Sequence, residues 1–418
     1  IPRPPSGGYH LTAGRFSRPA ARSFILRPPL RDEEAKIAAP QVDAAPYLVF
    51  SVGQGLSVSY YSTRGEYEPV NKANIKNLSI DELSSLIERL EEKRHRTTQI
   101  LQWLYQKGVS GFDEMTNIPT SLRALLDERF VITSLHPVDS LRSRADASQK
   151  FLLETDDGSV MEAVLMETKG HQTICISSQI GCPLRCSFCR TGDGGFERNL
   201  RSDEILNQVL FFKKNHLRPG RRFNIVFMGM GEPFLNMDNL VRSMEILNAI
   251  DAFALGEKRI TISTIGYPDR IRTLAGSNLK FSLAVSLNAT TDRARKGLMP
   301  SAAGITDTLE AAEEFARSRR TRVTLEYVLI SGLNDTAADA GRLASMTSGR
   351  PFKINLIPFN EWDDCPHRRP DEDRIERFVR RLLPTAPAVM VRRSQGVDIN
   401  AACGQLRLKH GRRRRGEQ

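Results

Sequence analysis

From Asn74 the chain places apolar residues at helical spacing. The run Leu78-Ser-Ile-Asp-Glu-Leu-Ser-Ser-Leu-Ile-Glu-Arg-Leu90 predicts a helix, with Ser79 and Glu82 spaced as a capping box. A second helix is expected over Thr97 to Lys107, its apolar side made by Ile100, Leu101, Leu104 and Tyr105. A third follows Pro119, with Leu122, Leu125, Leu126 and Phe130. Together these predict a small helical accessory domain over 71–131. The period then changes. Phe151 to Thr155 and Ser159 to Met166 alternate around Asp156-Asp157-Gly158, which predicts a β-hairpin within a 132–170 linker.

Beyond Thr173 short apolar runs alternate with helical stretches. Strands are expected at Thr173, Phe223–Met228, Arg259–Thr264, Phe281–Leu287, Arg322–Ile330 and Phe352–Pro358, with a last one over Ala388–Arg392. Helices are expected from Ser202, Met237, Ile305, Ala337 and Glu372. Six parallel-type strands and a terminal one, alternating with these helices, predict an α/β fold: an open or partial (β/α)6 TIM-like barrel over 171–395. A short segment, 396–408, and a basic tail, 409–418, follow it. Residues 1–70 show no sustained period and read as a disordered or targeting extension. No internal repeat at a fixed period is visible.

Composition narrows the class. The 418 residues are 40% hydrophobic and 26% charged, with no apolar run of the length a membrane span requires. Six cysteines over this length do not make a secreted disulfide scaffold, and a cytoplasmic, reducing compartment is expected. The alternative is an organelle, if 1–70 includes a transit segment. The net charge of +11 favours an anionic partner, of which nucleic acid is the commonest. Basic residues gather at Lys213-Lys214, Arg221-Arg222, Arg380-Arg381 and Arg392-Arg393, and the chain closes on Arg412 to Arg415.

The densest chemistry lies between Thr173 and Leu200. Cys182, Cys186 and Cys189 form C-x3-C-x2-C, with no fourth cysteine at comparable spacing. A structural zinc ion wants four ligands in a closed tetrahedron. A [4Fe-4S] cluster held by three thiolates, one iron left open, suits the triplet better. Half a zinc site, completed from elsewhere, is the competing reading. Gly192, Gly194 and Gly195 permit tight turns, and Phe188 can shield a cluster from water.

Polar groups recur at the expected strand ends, where such barrels carry their chemistry. Met228-Gly-Met-Gly-Glu232-Pro233 follows one strand, and Glu232 can accept from an ammonium. Ser263, Thr264 and Gly266 follow the next; then come Ser286, Leu287 and Asn288, and later Asn360. They predict one polar, amino-acid-sized ligand held against an open iron.

These motifs resemble the radical S-adenosylmethionine superfamily. More narrowly, GCPLRCSFCRTG, GFERNL, GMGEP, TISTIG, SLNA, KINLIPFN and DINAACGQL make the chain similar to the RNA adenine-C2 methyltransferases, bacterial and organellar enzymes of large-subunit rRNA and tRNA. The resemblance runs from about Asn74 to Leu406, and FDEMTNIP in the helical region looks like that family's N-terminal accessory domain. It implies a radical SAM barrel and a cluster on Cys182, Cys186 and Cys189. It also implies S-adenosylmethionine, two molecules per turnover, surrounded by Gly231, Glu232, Ser263, Ser286, Leu287, Asn288 and Asn360. Cys403 is the cysteine that becomes methylated, Cys175 is its redox partner, and Glu162 matches an acidic residue near the substrate.

The implied route explains the two extra thiols. Adenine C2 carries a hydrogen that no side-chain base ionises, so direct attack on a sulfonium methyl fails. One S-adenosylmethionine methylates Cys403, and a second yields a 5′-deoxyadenosyl radical that takes hydrogen from that methyl group. The carbon radical adds to C2, and a Cys175–Cys403 disulfide accompanies release. Read by themselves, Cys175 is an apolar strand residue of the kind usually buried as a small hydrophobe, and Glu162 fits a solvent-facing hairpin position. Cys365 has no counterpart in the family. Asn288 stands where histidine is commonest, and Arg190 is bulkier than the usual Ser or Ala.

Expected partners are rRNA and/or tRNA and an electron donor such as flavodoxin or ferredoxin, with no membrane and a monomeric chain. The alternatives are methylation of adenine C8 in rRNA, or a non-catalytic iron–sulfur RNA-binding protein.

Overall fold

A computed structural model describes residues 72–406 except 169 and 387, together with the backbone of two strands nearer the start. Those two, Tyr47–Val52 and Leu56–Tyr61, pair antiparallel as a hairpin inside the stretch expected to lack regular structure. The rest of residues 1–70, and the basic tail, lie outside the described residues.

The main body is built on one ten-stranded sheet whose strands are numbered here in chain order. They are β1 (His136–Arg142), β2 (Gln149–Glu154), β3 (Val160–Glu167), β4 (Gln172–Cys175), β5 (Phe223–Phe227), β6 (Ile260–Thr264), β7 (Ser282–Ser286), β8 (Val323–Leu329), β9 (Phe352–Pro358) and β10 (Val389–Val391). Spatial order follows chain order. Strands β4 to β10 are all parallel, which is the partial barrel expected from the alternation. The first three strands add an antiparallel apron: β1 on β2, β2 on β3 and β3 on β4.

Parallel strands need crossovers, and helices supply them. They include α4 (Ser202–Asn215), α5 (Met237–Asn248), α8 (Ile305–Ser318), α9 (Ala337–Thr347) and α10 (Glu372–Leu382), close to the expected spans. Their apolar faces, such as Ile205, Val209 and Phe212 of α4, join one core with Ile225, Ile262, Val285 and Leu325 of the strands. Because side chains alternate across a strand, Ser263 and Glu326 then face the barrel interior. Their hydrogen bond, Ser263 Oγ to Glu326 Oε2 at 2.8 Å, places both there.

Further elements of the main body were not foreseen. Strand β1 is exposed along its whole length, so it has no alternation to read, and Pro137 suits an unpaired edge. Helices α6 (Pro268–Ala275) and α7 (Asp292–Leu298) are short, and the sequence DRARKGL of α7 reads as polar surface. Yet Arg295 of α7 is only 1% exposed.

The accessory helices are α1 (Ile80–Arg89), α2 (His95–Leu101) and α3 (Thr120–Arg129). The Ser79/Glu82 capping box is present. Helix α2 continues through a wider turn, Gln102–Lys107, and stops at Gly108, whose φ of 68° suits glycine. The domain docks on α4 through buried polar contacts, Asn74 Nδ2 to Asp203 Oδ2 at 2.7 Å and Lys76 Nζ to Asn207 Oδ1 at 2.8 Å. No helix among the described residues is long and apolar enough to cross a membrane.

Candidate active site

The cysteine loop leaves the sheet after β4. It is closed at its base by Gln179–Gly181 pairing with Phe196–Asn199, and Cys182 N–H donates to Gly195 O at 2.8 Å. Gly181 has a φ of 74°, and a Cβ there would overlap Gly195 O, so glycine is required at this crossing. Cys182, Cys186 and Cys189 are free, half-buried and flanked by Leu184, Phe188, Leu298 and Met299. Burial first, and in part neighbouring negative charge, pushes these thiols up, that of Cys182 to about 12.

Three such thiols ionise together only if a cation takes up their charge. Among the described residues no group of three His, Cys, Asp or Glu side chains converges as a single ion would need. A cluster seats each thiolate on a separate iron, so this donor set fits a cluster better than a mononuclear zinc.

Around it lie the C-terminal ends of the parallel strands. Gly229 and Gly231 bring the chain after β5 against its neighbour: a Cβ at Gly229 would sit 2.7 Å from the carbonyl carbon of Ile176, and one at Gly231 would collide with Gln179. Glu232 is buried and accepts from the N–H groups of Phe234 at 3.0 Å and Ile265 at 2.9 Å. Burial outweighs those bonds and pushes its carboxyl up to about 7.

Arg295 shapes the next two mouths, donating to the carbonyls of Ser286, Leu287 and Ile265. Asn288 is buried in the left-handed region, φ 55°. Its Oδ1 accepts from Val328 N–H at 2.8 Å and its Nδ2 meets Met299 Sδ at 3.4 Å, so its side chain ties the segment after β7 to β8 and to the segment after α7.

The structure brings Cys403 to the same mouth. Residues after β10 fold back over the cysteine loop, with Arg190 N–H donating to Gly404 O and Thr191 Oγ1 to Leu406 O, both at 2.7 Å. Asn360 Nδ2 donates to Cys403 O at 3.1 Å. Cys175 ends β4, and with Cys403, Met228 and Arg392 it lines a cavity of about 20 Å³, room for one small group. Burial raises the Cys175 thiol to about 12. The Cys403 sulfur is the main charge holding Arg392 above its ordinary value, with Glu326 and Cys175 adding to it.

Glu162, 4% exposed, is not solvent-facing. It pairs with Lys150 Nζ at 3.0 Å, and that ammonium also donates to Asn400 O at 3.1 Å. Both residues line a second recess of about 260 Å³, shared with Arg190, Asn400 and Gln405. Cys365 is buried in the apolar cluster beside the cysteine loop. Sequence reasoning missed Lys150, Arg295 and Glu326 and saw Arg392 only as a basic surface group. Charged residues rarely go inside unless paired, so nothing local marks them.

Known proteins share this arrangement. Residues 73–132 match the ribosomal RNA large subunit methyltransferase N-terminal domain, and residues 176–343 match the radical SAM superfamily. The dual-specificity RNA methyltransferase RlmN of Geobacter sulfurreducens is 44% identical over 338 residues, 80% of this chain and 92% of that one. A probable dual-specificity RNA methyltransferase RlmN of Thermotoga maritima is also 44% identical, over 80% of this chain and 98% of its own. A crystal structure of a radical SAM methyltransferase from Sphaerobacter thermophilus superposes with a TM-score of 0.74 at 38% identity, covering 80% of this chain and 99% of that one. Half barrel, cysteine loop and accessory domain are thus those of known enzymes, and the chain belongs to the RlmN family of radical SAM RNA methyltransferases.

Proposed function

We propose that this enzyme methylates C2 of adenine in both rRNA and tRNA, using a methyl group carried on Cys403. The observation that carries this reading is the shared cavity of Cys175 and Cys403, thiols more than two hundred residues apart. A non-catalytic iron–sulfur protein has no use for that pair, and the C8 reading finds no support among the relatives, which are named dual-specificity RNA methyltransferases.

Cys182, Cys186 and Cys189 are the residues to hold a [4Fe-4S] cluster, and Gly231, Glu232, Ser263, Ser286, Leu287, Asn288 and Asn360 surround the place for S-adenosylmethionine. When bound, the two together supply a methyl donor and a means of abstracting hydrogen from an unactivated carbon. Cys403 accepts the methyl on its sulfur, with Arg392 on the wall of the same cavity. Cys175, kept protonated by burial until the release step, gives up its proton and attacks the Cys403 sulfur; the sulfur–sulfur bond forms as the sulfur–carbon bond to the base breaks, and the electron pair and a proton leave with the methylated base. Glu162 and Lys150 form the polar wall of the recess that receives the base.

Residues 71–131 act as a second grip on folded RNA, and the target adenine leaves its stack to reach the barrel mouth. One chain holds every site residue, so a monomer suffices, with a flavodoxin- or ferredoxin-type donor feeding the cluster in the cytoplasm. The test is an anaerobic reaction of reconstituted enzyme with S-adenosylmethionine, reductant and unmodified RNA, followed by chromatography of the nucleosides. A 2-methyladenosine peak that vanishes with Cys403→Ala is expected; an 8-methyl product would overturn the position.

A further inference from the structure

The recess beside Glu162 contains a guanidinium nitrogen for which the described residues supply no acceptor. Lys150 Nζ is held by Glu162 at 3.0 Å and by Asn400 O at 3.1 Å. The other acid on the wall, Asp139, accepts from Ser140 N–H at 2.7 Å. Arg190 is different. Its main-chain N–H is fixed on Gly404 O, so the side chain starts from a defined point between the cysteine loop and the Cys403 turn. Its Nε is enclosed and has no hydrogen-bond partner among the described residues, and the side chain lines the recess. An enclosed guanidinium nitrogen without an acceptor is costly, because it has given up water and gained no bond in return. A guanidinium nitrogen left so on the wall of a recess is a donor awaiting an acceptor from outside.

We infer that Arg190 is the anchor for a backbone phosphate next to the target adenosine. This rests on the RNA-methylating reading above and adds a substrate contact particular to this chain, since a Ser or Ala at this position could not reach. The base must pass inward to the methyl group on Cys403, so its sugar–phosphate stays at the recess, alongside Arg190. A planar guanidinium matches phosphate oxygens with paired, charge-assisted bonds. It also sits where Glu162 is already paired with Lys150, so the Arg190 guanidinium is the cation left for the incoming anion to meet, with Asp139 the remaining acid of the recess.

The test is binding of a fluorescent in vitro transcribed tRNA to the cluster-loaded enzyme, without S-adenosylmethionine, across a salt series. Arg190→Ser should bind more weakly, and its plot of log affinity against log salt should be shallower by about 0.7 to 0.9, the share of one phosphate contact. Arg190→Lys should keep most of the wild-type slope, because charge is retained. If Ser destabilises the loop, Arg190→Gln replaces it, loading being judged by visible absorbance. A wild-type slope in the Ser or Gln variant overturns the assignment, as does a Lys variant that loses slope as fully as Ser. Failure of the wild-type enzyme to bind the tRNA at all would instead overturn the RNA reading on which it rests.

Discussion

Asn360 Nδ2 donates to the main-chain carbonyl of Cys403 at 3.1 Å, tying the segment after β9 to the turn that carries the Cys403 thiol. One amide thus links the strand-end side of the mouth to the C-terminal segment. Asn360→Ala should remove about 0.5–1.5 kcal/mol of local stability. The expected outcome is faster alkylation of Cys403 by iodoacetamide, measured by peptide mass spectrometry, with global melting nearly unchanged.

Cys403→Ala should abolish methyl transfer to RNA and leave the visible spectrum of the cluster intact, because Cys403 is outside the cysteine triplet. Normal product from that variant would sink the methylcysteine assignment. Cys175→Ala should still accept a methyl group on Cys403, detectable by peptide mass, while product release is lost.

Glu232 gives a pH dependence. Its carboxyl stands at about 7 in the fold against an ordinary 4.5, because burial disfavours the charge. In that window the folded protein binds more protons than the unfolded chain, so stability falls as pH rises from 4.5 to about 7 and is level above it. An ammonium docking on Glu232 needs the carboxylate, so S-adenosylmethionine affinity should run the opposite way. It should rise up to about tenfold per unit as pH approaches 7 and then level off. Anaerobic calorimetry from acid to neutral pH reads the slope, and Glu232→Gln should flatten it.

Lys150 and Glu162 are both largely buried and 3.0 Å apart. Removing the lysine alone leaves a carboxylate in low dielectric without its ammonium, at a cost of about 3–5 kcal/mol. Lys150→Met should therefore lower the melting temperature strongly, and adding Glu162→Gln should restore much of it while methylation stays low. Equal melting of the single and double variants would show that the pair is not coupled.

Most of the architecture could be read along the chain. Helical and strand periods, their alternation and the cysteine spacing are local patterns, and each leaves its mark within a dozen residues. The parallel half barrel follows from them, and so does the cysteine loop after its first strand. Strand β1 and helix α7 escaped because one has no buried face and the other hides an arginine in a polar run.

Relations between distant segments have no such local mark. Cys175 and Cys403 meet because the segment after β10 folds back and bonds by its backbone to the cysteine loop. The pairing of Lys150 with Glu162, the grip of Arg295 on three strand-end carbonyls and the unsatisfied Nε of Arg190 depend on the same folding back and strand order. The sequence by itself determined which chemistry is present, since side-chain type and spacing are written in it. Tertiary structure alone decided which charges are buried and which thiols face one another, because burial and contact depend on packing between segments far apart in the chain.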